Sequence, residues 1–276
     1  MLIDAHNQNV NLSFAKVALL TFFLTTSGAS YASALTSNVN QFDGQWRVVS
    51  VRIDAFATTH TAITVDDPHY VGRKMVLNKD VISGNLDETV NCSAVHYEAQ
   101  GKTALDNLFQ QTSGKRYSEP LLPKAKDFGL DAQTVTPVSV TCQSGKFGPD
   151  GEHIGNWIAL LSSDTLITNW YDNSYLIMKR IKPTDTFSPS FPCDANLNQT
   201  EKTICDNDEL AAWDKSVDKA FKTALWQQQA IMPDDKAALR KIKSKQTAWL
   251  KKRNQCQNNT GCIARAMKDR VDTLTQ

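Results

Sequence analysis

Apolar residues near the C-terminus recur at steps of three and four. Leu210, Trp213, Val217, Phe221 and Leu225 form one stripe, Leu239, Ile242, Gln246, Trp249 and Leu250 a second, and Ile263, Met267, Val271 and Leu274 a third. That spacing gathers side chains on one face of a helix, so three amphipathic helices are expected. The first two are joined through residues 227–233, short enough to make them antiparallel neighbours. Asn198-x-x-Glu201 and Asp206-x-x-Glu209 are capping-box patterns, and Pro233 suits the first turn of the second helix.

From residue 43 to 181 the period changes. Short runs rich in β-branched and aromatic residues occur at 44–53, 73–77, 89–98, 135–143, 157–161, 166–171 and 175–181. Turn-forming clusters such as Ser83-Gly84-Asn85 and Asp172-Asn173-Ser174 separate them. Many short antiparallel strands in one stretch give a closed barrel or a sandwich. Residues 99–132 have no clear period and read as a long excursion from the sheet, a kind of loop that often carries function. The fold class is therefore α+β in two domains: an antiparallel β-barrel over 35–182, a proline-containing linker over 183–192, and a disulfide-braced helical hairpin over 193–276.

Composition refines this picture. The 276 residues are 41% hydrophobic and 21% charged, a globular composition with a net charge of only +1 and no excess of the kind that nucleic-acid binders carry. Lys16, the apolar run 17–24 and Ala32-Ser33-Ala34 have the order of a secretory signal peptide over residues 1–34, too short to span a bilayer. No cysteine follows that run until Cys92, so no lipid-anchored cysteine and no membrane anchor is expected, and the destination is periplasmic or secreted. An even count of six cysteines in an oxidising compartment favours disulfides over zinc. Cys92 and Cys142 each fall in an expected strand and pair with each other, while Cys193, Cys205, Cys256 and Cys262 allow three pairings.

Candidate chemistry is sparse. The histidines lie in no nucleophile or metal motif, and Asp66-Asp67-Pro68-His69 reads as a turn rather than a metal site. Neither a catalytic centre nor a cofactor or metal is expected. The second helix carries Arg240, Lys241, Lys243, Lys245, Lys251, Lys252 and Arg253 with no acid between them, while the first is acid-rich at its start, with Asp206, Asp208, Glu209 and Asp214. In an antiparallel pair these charges answer each other; the sharper reading makes Lys251, Lys252 and Arg253 a basic docking face.

Three resemblances sharpen the reading. Phe191-x-Cys193, Glu201-x-x-Ile204-Cys205, Gln246-x-x-Trp249-Leu250-x-x-Arg253-x-x-Cys256, Cys262 and Arg270 together resemble the LprI-like family, known for a lysozyme inhibitor, over about the last 85 residues. Gly44-x-Trp46 in the first strand and Lys179-Arg180 in the last resemble the ends of a calycin-type barrel, which implies that the tryptophan and a basic residue pack together at the closed end. Ser113-Gly114-Lys115-Arg116-Tyr117 resembles the Ser-Gly-x-x-Tyr loop of the MliC/PliC inhibitors of c-type lysozyme, which would make Ser113 an inserted hydroxyl and Tyr117 its support. The Trp-x-Lys-Gly segment that supplies an inserted lysine in that family is absent.

The resulting expectation is an exported, non-enzymatic inhibitor of a lysozyme-like peptidoglycan hydrolase, possible as an immunity protein, that blocks the cleft sterically. The alternatives are a lipocalin-like carrier of a small apolar ligand and an envelope protein held on peptidoglycan by its basic helix.

Overall fold

The computed structural model describes residues 40–57, 62–86, 90–149 and 155–276. The signal-peptide reading, residues 1–34, lies outside them.

Eight antiparallel strands close a barrel: β1 (Gly44–Ile53), β2 (Lys74–Leu77), β3 (Val81–Gly84), β4 (Asn91–Ala99), β7 (Val138–Ser144), β8 (Asn156–Ser162), β9 (Thr165–Trp170) and β10 (Ser174–Arg180). Neighbours in the barrel are neighbours in sequence, except that β4 passes to β7 across an excursion, and β10 returns to pair with β1. An eight-stranded barrel has an interior about wide enough for its own side chains. Trp46, Met75, Leu77, Ile82, Trp170 and Met178 belong to the one buried cluster that occupies it. At the closing seam Trp46 stands opposite Arg180, whose guanidinium lies 4.2 Å over the indole ring. Gly44 makes room for that arginine: its φ is +132°, and a Cβ there would meet Nη1 of Arg180 at 3.0 Å.

The excursion is ordered. It contains β5 (Thr103–Ala104), α1 (Leu105–Thr112), a 3-10 turn (Ala125–Phe128) and β6 (Thr134–Val135). Leu105, Leu108, Phe109 and Phe128 pack on Trp157, Ile167, Tyr175 and Ile177, which point out of the barrel wall. This second core explains why β8 to β10 are nearly continuous apolar runs, since both their faces are buried.

The C-terminal part is helical: α2 (Gln199–Cys205), α3 (Asp208–Ile231), α4 (Lys236–Arg253) and α5 (Thr260–Thr275). Asn198 and Glu201 form the expected capping box. The second start differs from expectation, because Asn207 rather than Asp206 caps α3, accepting from the amides of Glu209 and Leu210. Likewise Pro233 lies before α4, whose cap is Asp235. Helix pairing also departs from the pattern-based reading. The stripe Leu210–Trp213–Val217 packs chiefly on Ile263, Met267 and Val271 of α5 rather than on α4. Among the described residues, no helix is long and apolar enough to cross a membrane.

Disulfides join Cys92 to Cys142, Cys193 to Cys205 and Cys256 to Cys262, with Cα separations of 5.2, 5.9 and 5.6 Å. The first links adjacent strands β4 and β7. The other two are local, one closing the lead-in to α2 and one the turn between α4 and α5.

Candidate functional site

The helices are seated on the barrel by polar and aromatic contacts. Arg73, wholly buried, lies 3.5 Å over the Trp213 ring and donates to Oγ of Ser216 at 2.9 Å. Asp208, at the start of α3, faces Arg47 at 3.3 Å and Lys74 at 3.1 Å, so its charge is answered by the barrel and not by α4. His69 bridges the two parts, with Nδ1 2.7 Å from Asp67 and Nε2 2.9 Å from Asp272 of α5. The Asp66–His69 stretch is thus a turn clamped onto the helices: the Asp67 carboxylate also accepts from the Thr64 and His69 amides. Burial works against ionising Asp67, but those hydrogen bonds outweigh it and hold its pKa below the usual carboxylate value.

Arg253 stands apart from the other two residues of the expected basic face. Its side chain is 2% exposed and points inward, 3.2 Å from Asp214 and 3.9 Å from Glu201. Asp214 in turn accepts from the Ser190 amide and hydroxyl, fastening the lead-in segment to α3. A charge buried this way has to be paired, which removes Arg253 from any surface role. Lys251 and Lys252 are exposed.

Between α4 and α5 lies a cleft of about 610 Å³, lined by Trp249, Lys252, Arg265, Asp269 and Arg270. Arg270 is mostly buried, and its Nε donates to Gln246 at 2.9 Å. Burial lowers its pKa. Gln246, Trp249, Arg253, Cys256, Cys262 and Arg270, separated in sequence, therefore meet around the root of the α4–α5 turn.

The Ser113–Tyr117 loop is built into the barrel wall. The Ser113 hydroxyl lies 2.7 Å from the Tyr175 hydroxyl, whose pKa burial pushes up to about 12. Gly114 sits so near Asn173 that a Cβ would meet the amide oxygen at 2.7 Å. Arg116 is buried between Asp54 at 2.8 Å and Asp127 at 3.0 Å. Lys115 and Tyr117 face solvent, the latter 76% exposed. Lys115 and Tyr117 are the loop side chains open to solvent, while Ser113 is half-buried against Tyr175 and Arg116 is buried.

One exposed feature fell outside the sequence-derived candidates. Helix α3 continues six residues past Leu225, so Trp226, Ile231 and Met232 stand at the far end of the α3–α4 hairpin with relative exposures of 68%, 75% and 54%. The sequence held a signal: Trp226 breaks the stripe that ends at Leu225, and Ile231-Met232 adjoins Pro233 in a polar setting. Three large apolar residues left exposed within seven positions of one another make this end of the hairpin a candidate contact surface.

No curated protein and no solved structure matches the chain. Residues 193–274, the whole of the helical region from Cys193 through α5's Leu274, match the family model described as Lysozyme inhibitor LprI.

Proposed function

We propose that the protein inhibits a lysozyme-like peptidoglycan hydrolase outside the cytoplasm, by occupying the enzyme's cleft without turnover. The observation that carries this reading is the match of residues 193–274 to the lysozyme-inhibitor family. Support comes from the bracing of that region, with two local disulfides, the buried Arg253–Asp214 pair and the Arg73–Trp213 stack. A surface fixed in advance loses little conformational entropy on binding. Three disulfides fit an oxidising compartment, periplasmic or extracellular. Such a protein could shield its producer from a host lysozyme or serve as the immunity partner of a secreted hydrolase.

The carrier alternative gains nothing from the barrel, whose interior is occupied by Trp46, Trp170, Phe147 and their neighbours. The test is lysis of purified peptidoglycan by c-type lysozyme, other lysozyme classes and an amidase, with and without the oxidised protein. Dose-dependent slowing of at least one glycosidase is expected; no slowing and no binding across the panel overturns the reading.

A further inference from the structure

The hairpin end formed by α3 and α4 has three properties that meet nowhere else on the helical region. It exposes large apolar residues, carries a run of basic residues on α4, and extends beyond the buried core of the helices. Trp226, Ile231 and Met232 supply the first property, and Leu250 is the one other large hydrophobic residue exposed after residue 192 among the described residues. Between residues 223 and 245 there are five Lys or Arg (Lys236, Arg240, Lys241, Lys243, Lys245) against Asp234 and Asp235. None of these five has a carboxylate partner among the described residues, and Asp235 is engaged in capping α4. The helix core explains the projection. Buried positions on α3 end at Ala220, and no residue of α4 before Arg253 is fully buried, so the hairpin runs out from its root. From Phe221 to Ile231 that is about 15 Å of helix at 1.5 Å per residue.

We propose that this tip is the element that enters the hydrolase's substrate cleft, with Trp226 in a sugar-binding position and Lys236 and Arg240 facing the catalytic carboxylates. The assignment rests on the inhibitor reading above and goes further by naming the contact. Glycosidases of the usual kind cleave with two carboxyl groups that flank the scissile bond at the floor of a groove. A projecting hairpin end fits such a groove, as the concave α4–α5 cleft and the anchored Ser113 hydroxyl do not. Tryptophan is among the residue types enriched at the energetic centre of interfaces, and exposed basic side chains on the same hairpin complement an anionic floor and speed encounter. The root of the hairpin is held by Arg73–Trp213 and Arg253–Asp214, so its ordering cost is met on folding.

The experiment uses the oxidised full-length chain against c-type lysozyme and whichever other hydrolase it inhibits. Trp226→Ser combined with Ile231→Ser should raise the inhibition constant about 100-fold, the loss expected for removing a central aromatic anchor. Lys236→Gln combined with Arg240→Gln should slow association about 10-fold and flatten its salt dependence. These positions are exposed, so circular dichroism and the thermal midpoint should stay at wild-type values. Tyr117→Ser should leave inhibition unchanged. Inhibition within twofold of wild type in both tip variants overturns the assignment while the inhibitor reading stands. So does loss through Tyr117→Ser alone, or a wild-type dimer that Trp226→Ser disperses with inhibition intact. A wild-type chain that inhibits nothing overturns both.

Discussion

Arg73 and Trp213 lie 3.5 Å apart, guanidinium over indole, across the junction of barrel and helices. Arg73 sits at the entrance to β2 and Trp213 in the second turn of α3, so one contact couples strand register to helix placement. Desolvated pairs of this type contribute about 2 kcal/mol, and truncation adds the cost of a cavity. Arg73→Ala should therefore lose about 3–4 kcal/mol in urea unfolding. Trp213 fluorescence should report an earlier transition than barrel circular dichroism, because the helices lose their seat first.

Gly72 next to it tests the closeness of the same junction. Its φ is +91°, and an added Cβ would meet that of Ala212 at 3.1 Å. Gly72→Ala should cost about 1–3 kcal/mol through the backbone conformation. Combining it with Ala212→Gly should return only the steric part, as measured by a double-mutant cycle.

The Arg253–Asp214 pair should behave as a buried ion pair. Removing one partner leaves the other charge stranded, at about 3–5 kcal/mol for Arg253→Met or Asp214→Asn. Lys251→Gln and Lys252→Gln, changes on solvated side chains of the same turn, should stay within about 0.5 kcal/mol. Equal effects at all three positions in chemical unfolding would contradict the assignment of Arg253 to the interior.

The Cys92–Cys142 bridge closes a loop of sequence separation 50 between adjacent strands. Loop-closure entropy puts its contribution at about 4 kcal/mol, against about 2–3 kcal/mol for each of the two shorter bridges. Cys92→Ala with Cys142→Ala should accordingly lower the unfolding free energy more than either C-terminal pair of substitutions.

Acid should loosen the junction through Asp67. Its pKa is depressed in the folded protein, so the stability it contributes is present above the unfolded value of about 3.9 and is lost as pH falls through the folded value. Wild type and Asp67→Asn should differ in urea midpoint at pH 6, and the gap should shrink steadily below about pH 4. A gap independent of pH would show that the carboxylate's charge plays no part.

Much of the architecture was legible because local patterns carry it. The run 44–53 is a strand along its whole length, and the stripes beginning at Leu210 and Ile263 are helix faces buried as far as Val217 and Val271, with Phe221, Leu225 and Leu274 half-buried. The tryptophan and arginine expected at the barrel seam do stack. Helix α1 was missed although Leu105, Leu108 and Phe109 have helical spacing, because eight residues are too few for the period to stand out. Strand β3 was hidden for a similar reason: it is four residues long and ends in Gly84, so it reads as a turn.

What the sequence by itself determined is therefore the inventory: strands before helices, which faces are apolar, a motif at 193–274, and cysteines in pairable positions. What only the tertiary structure decided is who meets whom. Periodicity says that a face must be buried but not against which partner, so α3's stripe went to α5, and Asp208 to Arg47 and Lys74. The same limit hid which charges remain unanswered. Arg253 was drawn inside by Asp214, while Lys236 and Arg240 stayed in solvent, as Trp226 did, because the helices' core ends short of the hairpin tip.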